Sequence, residues 1–432
     1  MTLFKGRKAR ATIAGVLTLS LLLAACGGDD DDDASSGKGG KKEFEFFSWW
    51  TGGGDSEGKE ALLKLYADEN PDIKVVDSAV AGGAGTNAQA ELANRLLADN
   101  PPDSYQRHAG KELAADIEAD EVEPLDSLYD DEGWKDVFPE RLLDLITVDG
   151  KLYSVPVNIH RSNVLWYNPA VLEEAGIAAP PKTWDEFLSQ AKTLEAKGKT
   201  ALTIGPLWTQ EHLLENVLLG ELGADTYSGL WDGSTDWESA DVIAALDKYT
   251  EILKHSNIDS AAADWQPAID PIIEGDAAYN VMGDWADTYF RVEKKLKWET
   301  DYNATTAPGT AGMFNFLSDT FTLPKGAKHR DAAMTWLKLA GSKEGQDAFN
   351  PVKGSIPART DGDASLYTGY LKTPFEDWTN PQTTIVGSLA HGVVADNAWK
   401  TEIDSALQEF VEGGNSKDFA AAVTSAFEDT QS

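Results

Sequence analysis

Trp49 and Trp50 stand side by side at the end of an apolar run, in a chain that holds 14 tryptophans. Burial is the default for any one of them. Adjacent strand residues point to opposite faces, so if one packs inward the other faces the loops. An indole face stacks on the apolar C–H face of a pyranose, while polar side chains at its edge bond the hydroxyls. Tryptophans set among Asp, Asn, Lys and His are the composition such a pocket needs. Other chemistries find less support. Gly198-Lys199-Thr200 looks like the end of a phosphate loop, but Thr193 stands where the first glycine is required. No G-x-S-x-G, H-E-x-x-H or calcium-loop spacing occurs. The histidines at 108, 160, 212, 255, 329 and 391 show no short ligand spacing, so neither a metal nor another cofactor is expected. Among 72 acidic residues some pair will always suit a glycoside hydrolase. That rival stays open, with a solvated acidic surface as the reading for most of them.

The elements that must position these residues alternate. A strand is expected over Glu43–Trp50, then a helix at about 56–68 with Asp55 or Ser56 as N-cap and Asn70-Pro71 as its stop. A strand at Ile73–Val76 and a glycine-rich loop (Gly82, Gly83, Gly85) lead to a helix from Thr86 to about Asp99, with Ala88, Leu92 and Leu96 on one face. A short segment, Asp103–His108, precedes a helix from about 109. This β-α-β-α order argues for an open α/β sheet. Ligands of such sheets sit at the carboxyl ends of strands, where Trp49-Trp50, Thr86-Asn87 and Gln106-His108 all fall. A second block has a strand at Asn163–Tyr167, a helix from Asn168-Pro169 broken at Gly176, and a helix opened by a Thr183/Glu186 capping box. No internal repeat is found.

The first residues specify the compartment. Lys5, Arg7, Lys8 and Arg10 precede an apolar core of 14 residues, 12–25. That is short of the roughly 20 a membrane helix needs and has the length of a signal-peptide core. Leu23-Ala24-Ala25-Cys26 then matches the bacterial lipobox, so residues 1–25 should be removed and Cys26 lipidated. Cys26 is the only cysteine, which excludes an internal disulfide. Residues 26–42 continue as glycine, serine and charge, a flexible tether. Without its leader the chain keeps 33 basic and 72 acidic residues, a net charge of −39. Such a surface repels nucleic acid and anionic lipid. No later stretch is apolar enough to span a bilayer, so the membrane is reached through the lipid on Cys26 alone.

Trp166-Tyr167-Asn168-Pro169, Glu174-Ala175-Gly176-Ile177 and Pro181-Lys182-Thr183-Trp184-Asp185-Glu186-Phe187 resemble the signature of extracellular solute-binding proteins of ABC sugar importers. Phe47-Ser48-Trp49-Trp50-Thr51-Gly52-Gly53, Gly82–Ala88, Gln106–Gly110, Val155–Asn163 and Met282–Ala286 are most similar to the glucose/mannose-binding subgroup. Leu317-Ser318-Asp319, Leu323–Ala327, Lys353–Arg359 and Val386-Gly387-Ser388 continue the match, which covers the chain from Glu43 onward. The resemblance implies a two-lobe, type II periplasmic-binding-protein-like α/β fold with hinge-crossing segments. Residues 43–152 and 308–358 would form one lobe, 153–307 and 359–432 the other. It implies a monomeric receptor, lipid-anchored on the outer face of the cell membrane, that closes on a sugar. D-Glucose is the first candidate and D-mannose the second, with a short oligosaccharide as the variant. The sugar would pass unchanged to ABC permease subunits with a cytoplasmic ATPase, so no catalytic residue is expected; a sensory receptor of the same fold is a further reading. Trp49 or Trp50 and Trp285 would stack on the sugar, and His108, Asp319, Lys353 and His391 would bind its hydroxyls. Asn87, Gln106, Asn158, His160 and Asp284 are second-rank, while Trp208, Gln210 and Trp265 are better read as packing.

Overall fold

A computed structural model describes residues 42–82 and 85–430. The leader, Cys26 and nearly all of the tether lie outside the described residues, as do Gly83 and Ala84. Among the described residues no helix is long and apolar enough to cross a membrane.

A five-stranded sheet has the order Ile73–Asp77, Lys42–Phe47, Ser104–His108, Asp319–Thr322, Ser154–Pro156. Its first three strands are parallel, so the segments after Phe47 and after Gln106 emerge at the same end. Asp319–Thr322 inserts antiparallel, with Asp319 directly opposite His108. The core beneath is aromatic. Trp336 packs on Phe44, Phe46 and Phe321 with ring centres 5.1–5.5 Å apart, pairs that add about 0.5–1.5 kcal/mol each beyond area burial. A four-stranded sheet, Asn303–Thr306, Val164–Tyr167, Ala277–Val281, Thr200–Thr203, packs on a second cluster around Trp184, Phe187, Leu214, Tyr249 and Trp399.

Between them lies a three-stranded sheet, Thr384–Gly387, Met313–Leu317, His160–Arg161. The chain steps from it into the five-stranded sheet at Ser318, and in the other sense between Pro156 and His160. A third passage runs alongside: Ile159 and Ile356 exchange both backbone hydrogen bonds, at 2.8 and 3.0 Å.

Several local expectations need correction. The first strand ends at Phe47 rather than Trp50. The Trp49 N–H is taken by the Gln106 side chain, at Oε1, 3.2 Å away, instead of by the backbone of a neighbouring strand, so the chain leaves the sheet there. The first helix begins at Gly53 with Gly52 as its N-cap, which places Asp55 inside its first turn. The second helix closes at Leu97. Asn168 caps its helix by accepting from Ala170 N at 2.9 Å, and Gly176 ends it at φ 74°. Thr183 accepts from Glu186 N at 3.2 Å, but the Glu186 carboxylate turns to Lys182 N at 2.7 Å, so the capping box is only half formed.

Candidate ligand-binding site

Trp49, Trp50, His108, Trp285, Asp319, Lys353 and His391 line one cavity of about 60 Å³, together with Asp55, His160, Trp208, Trp265 and Leu317. They come from the carboxyl ends of two parallel strands, the first turn of the Gly53–Glu69 helix, the passages at Ser318 and Ile159, and distant loops. Both members of the Trp49-Trp50 pair reach the cavity because the chain has left its strand there, so strand alternation no longer applies. Trp50 is buried against Phe349, ring centres 4.9 Å apart, while Trp49 is partly exposed and rests on His108 at 5.0 Å. Gly85 makes room for it: at φ +103° a Cβ would stand 2.9 Å from the Trp49 ring. The Trp285 ring folds over Gly283 in the same manner, where a Cβ would meet it at 2.1 Å.

Asp319 is the polar centre. Oδ1 accepts from Gln106 Nε2 and Oδ2 from Asn158 Nδ2, both at 2.7 Å. Its own N–H donates to Asn158 Oδ1 at 2.8 Å. His108 Nε2 faces one oxygen and His160 Nε2 the other, each at 3.6 Å. Gln106 and Asn158 therefore orient the carboxylate rather than line the cavity.

The histidines are tied from behind. His108 Nδ1 lies 2.8 Å from Glu112 Oε2. Burial works against its cation, but Glu112 and then Asp319 outweigh that and hold its pKa above the ordinary value. His160 Nδ1 meets Asp284, which also takes Arg161 N at 2.8 Å, so Asp284 lies behind the wall. Lys353 Nζ donates to His160 Nε2 at 3.0 Å and pairs with Asp55 Oδ1 at 2.7 Å. Burial, then the charges of Lys353 and His108, keep His160 well below its usual pKa. His391 is held down too, by burial and then by His212 and His108. Burial pushes the Asp55 carboxyl up against the pull of Lys353.

Like Gln106, Asn158 and Asp284, Asn87 does not line this cavity. It sits on the first turn of Thr86–Leu97, donates to Ala81 O at 3.0 Å, and borders a separate cleft of about 620 Å³. His108 and Trp208 belong to both spaces. Gln210 turns to Gly205 O at 3.0 Å. Trp208 and Trp265, read from sequence as packing, stand in the wall, and the Trp208 indole N–H is buried with no partner. Asp55 was legible only as a helix signal, and Glu112 only as a solvated acid. Sequence spacing also hid a cluster: His212, Glu215 and His391 place their ligand atoms within 4.8 Å of one another. Glu215 is already occupied, accepting from Ser162 Oγ, Ser388 Oγ, Leu389 N and Ala390 N. The cluster is thus a hydrogen-bonded joint with no carboxylate oxygen left for a cation.

The family model of bacterial extracellular solute-binding proteins matches residues 52–347. An uncharacterized ABC transporter extracellular-binding protein of Pyrococcus horikoshii is 33% identical over 373 residues, 86% of this chain and 83% of that protein. A xylose/arabinose-binding protein of Haloferax volcanii is 30% identical over 344 residues, 77% of this chain and 73% of that one. The solved structure of a chitin oligosaccharide binding protein superposes with a TM-score of 0.79 at 17% identity, over 91% of this chain and 100% of that one. Such structural neighbours have two lobes of type II periplasmic-binding-protein form, and this chain has that fold.

Proposed function

The chain belongs to the bacterial extracellular solute-binding protein family, and on that premise we propose that it is a receptor for a neutral monosaccharide, glucose first and mannose second. It delivers the sugar unchanged to an ABC permease driven by a cytoplasmic ATPase. The observation that carries this reading is the cavity that brings indole rings together with Asp319, the Asp55–Lys353 pair and three histidines. Stacking surfaces take the C–H faces of the ring, and paired donors and acceptors take its hydroxyls without needing charge on the ligand. The orphaned Trp208 N–H supports it, since a buried donor next to a cavity wants a ligand oxygen.

In this reading the lobes are 43–152 with 308–358 and 153–307 with 359–432. Asp55 and His108 come from one, Trp285 and His391 from the other. Only the closed state lets both touch the sugar, so the sugar drives closure. The short-oligosaccharide reading has one observation in its favour, the cleft of about 620 Å³ that shares His108 and Trp208 with the cavity. The deciding experiment is calorimetric titration of residues 42–432, refolded to strip captured sugar, with glucose, mannose, galactose, xylose and maltose. One-to-one binding of an aldohexose with no product formed supports the proposal; binding of maltose alone moves it to the cleft, and new reducing ends would make the chain a hydrolase. We also hold that Cys26 carries a lipid anchor. Cys26→Ala should move the chain from the membrane to the soluble fraction.

A further inference from the structure

We propose that Glu215 is a positioning residue which, through Ser388, fixes His391 in its Nδ1–H tautomer, so that Nε2 offers the ligand a hydrogen-bond acceptor. The inference rests on the sugar-receptor reading only for the identity of the ligand.

The argument is one of proton count. Ser388 Oγ lies 3.0 Å from both Glu215 oxygens and 3.0 Å from His391 Nδ1. A carboxylate has no proton to give, so the hydroxyl proton points at Glu215. Ser388 Oγ can then only accept from His391, which places the imidazole proton on Nδ1. Which nitrogen of a histidine is protonated follows from the bond made by the other. Nε2 is the nitrogen left for the cavity that the ring lines, with a lone pair to offer.

Glu215 is built to hold this arrangement. It is fully buried on the Leu207–Asp232 helix, and Leu389 N at 2.7 Å and Ala390 N at 3.2 Å donate to its Oε2. The turn that carries His391 is thereby pinned to that helix. Ser162 Oγ donates to the same carboxylate, which fixes the segment just past His160. His212, one residue-turn before Glu215, has the opposite tautomer: its Nε2 lies 2.9 Å from the Ser162 carbonyl, so Nε2 carries the proton. Its ring packs edge-on against His391 with centres 5.5 Å apart. Two touching histidines thus differ in protonation pattern, which gives the test an internal control. The three cavity histidines also share a plan. His108 turns Nδ1 to Glu112, His160 to Asp284, and His391 to Glu215 by way of Ser388. His108 and His160 then direct Nε2 toward Asp319 and Lys353, which are protein groups. His391 is the one whose acceptor remains for a ligand hydroxyl.

The variants separate position from tautomer. In Glu215→Gln the amide N–H₂ can donate to Ser388 Oγ, whose hydroxyl is then released to donate to His391 Nδ1. The tautomer should invert and Nε2 become a donor. Ser388→Ala removes the relay while leaving Glu215 bonded to Leu389 and Ala390. The experiment is ¹⁵N-resolved NMR of the imidazoles in the sugar-free mature chain, followed by titration with glucose. Expected in the native protein are a protonated Nδ1 and bare Nε2 at His391, with the reverse at His212. Glu215→Gln should invert His391 alone and weaken sugar binding about tenfold or more, the scale of one buried hydrogen bond and its unmatched partner. Ser388→Ala should leave His391 a mixture of tautomers with a smaller loss. A protonated Nε2 at His391 in the native protein overturns the proposal, as does an unchanged His391 in Ser388→Ala, which decides the matter if Glu215→Gln does not fold. Stoichiometric zinc uptake that broadens the His212 and His391 signals would overturn it in favour of a metal site. Correct tautomers with no sugar bound would leave the relay standing and remove the receptor reading instead.

Discussion

Asp319→Asn tests the centre of the site with the smallest change of shape. A carboxylate offers about four lone-pair positions. Gln106 and Asn158 use one on each oxygen, at 2.7 Å, which leaves about two for ligand hydroxyls. The asparagine amide removes one of those acceptors and turns the other from charged to neutral. A charge-assisted hydrogen bond contributes about 1.5–3 kcal/mol and a neutral one about 1, so the loss is about 2–5 kcal/mol, or roughly 30-fold to several thousandfold in Kd. The neighbours cannot adapt by turning over. Gln106 Oε1 accepts the Trp49 N–H at 3.2 Å, and Asn158 Oδ1 accepts the N–H of residue 319 at 2.8 Å. The new N–H₂ must therefore face another donor, which should lower stability by about 1–3 kcal/mol. Calorimetric titration with the best sugar of the panel, alongside thermal unfolding, reads both effects. A folded variant whose Kd stays within about threefold of the parent, against the roughly thirtyfold minimum expected, would refute the assignment of Asp319.

Acidification should destabilise the fold through His391 and His160. Both are held well below 6.5 in the folded state, by burial first and by neighbouring positive charge second. Below pH 6.5 the unfolded chain takes protons that the folded chain refuses, so stability falls with pH at about 1.4 kcal/mol per unit and group. His108, held above its ordinary value, acts in the opposite sense, so the measurement is the difference between parent and His391→Gln. The variant's stability between pH 6.5 and 5 should fall less steeply by about one proton, and an identical slope would contradict the burial argument. Gly85→Ala should weaken sugar binding about tenfold and alter tryptophan fluorescence. Its φ of +103° strains an L-residue by about 1–2 kcal/mol, and its Cβ would press on Trp49 at 2.9 Å. Unchanged affinity would show that the Trp49 ring does not bear on the ligand.

What the sequence made legible, and what it hid, divides along sequence separation. The α/β alternation and the Asn168 and Thr183 caps follow from neighbours within four residues, and all of them are present. The seven leading candidates, carried by the resemblance to sugar-binding receptors, share one cavity. Asp55 was missed as a cavity residue because an acid beside a helix start has a local explanation. Its partner Lys353 is nearly 300 positions away. Glu215 was invisible for the same reason, since Ser388 lies 173 residues downstream. Asn87 borders the larger cleft rather than this cavity, with its amide turned to Ala81 O. Alternation failed at Trp49-Trp50 because the Gln106 side chain, rather than a strand backbone, receives the Trp49 N–H.

Asp319–Thr322 fills the gap between Ser104–His108 and Ser154–Pro156 in the five-stranded sheet. A ribosome has joined about three quarters of the 432 residues before that strand exists. Until then Ser104–His108, interior in the finished sheet, is an open edge and Ser154–Pro156 has no partner in it, and contacts this distant in sequence form slowly. No nascent piece ending short of Thr322 can complete the sheet, so its closure waits until the last quarter of the chain is being made. For any chain that is exported before it folds, such a delay keeps the sheet open to threading until its fourth strand has been made.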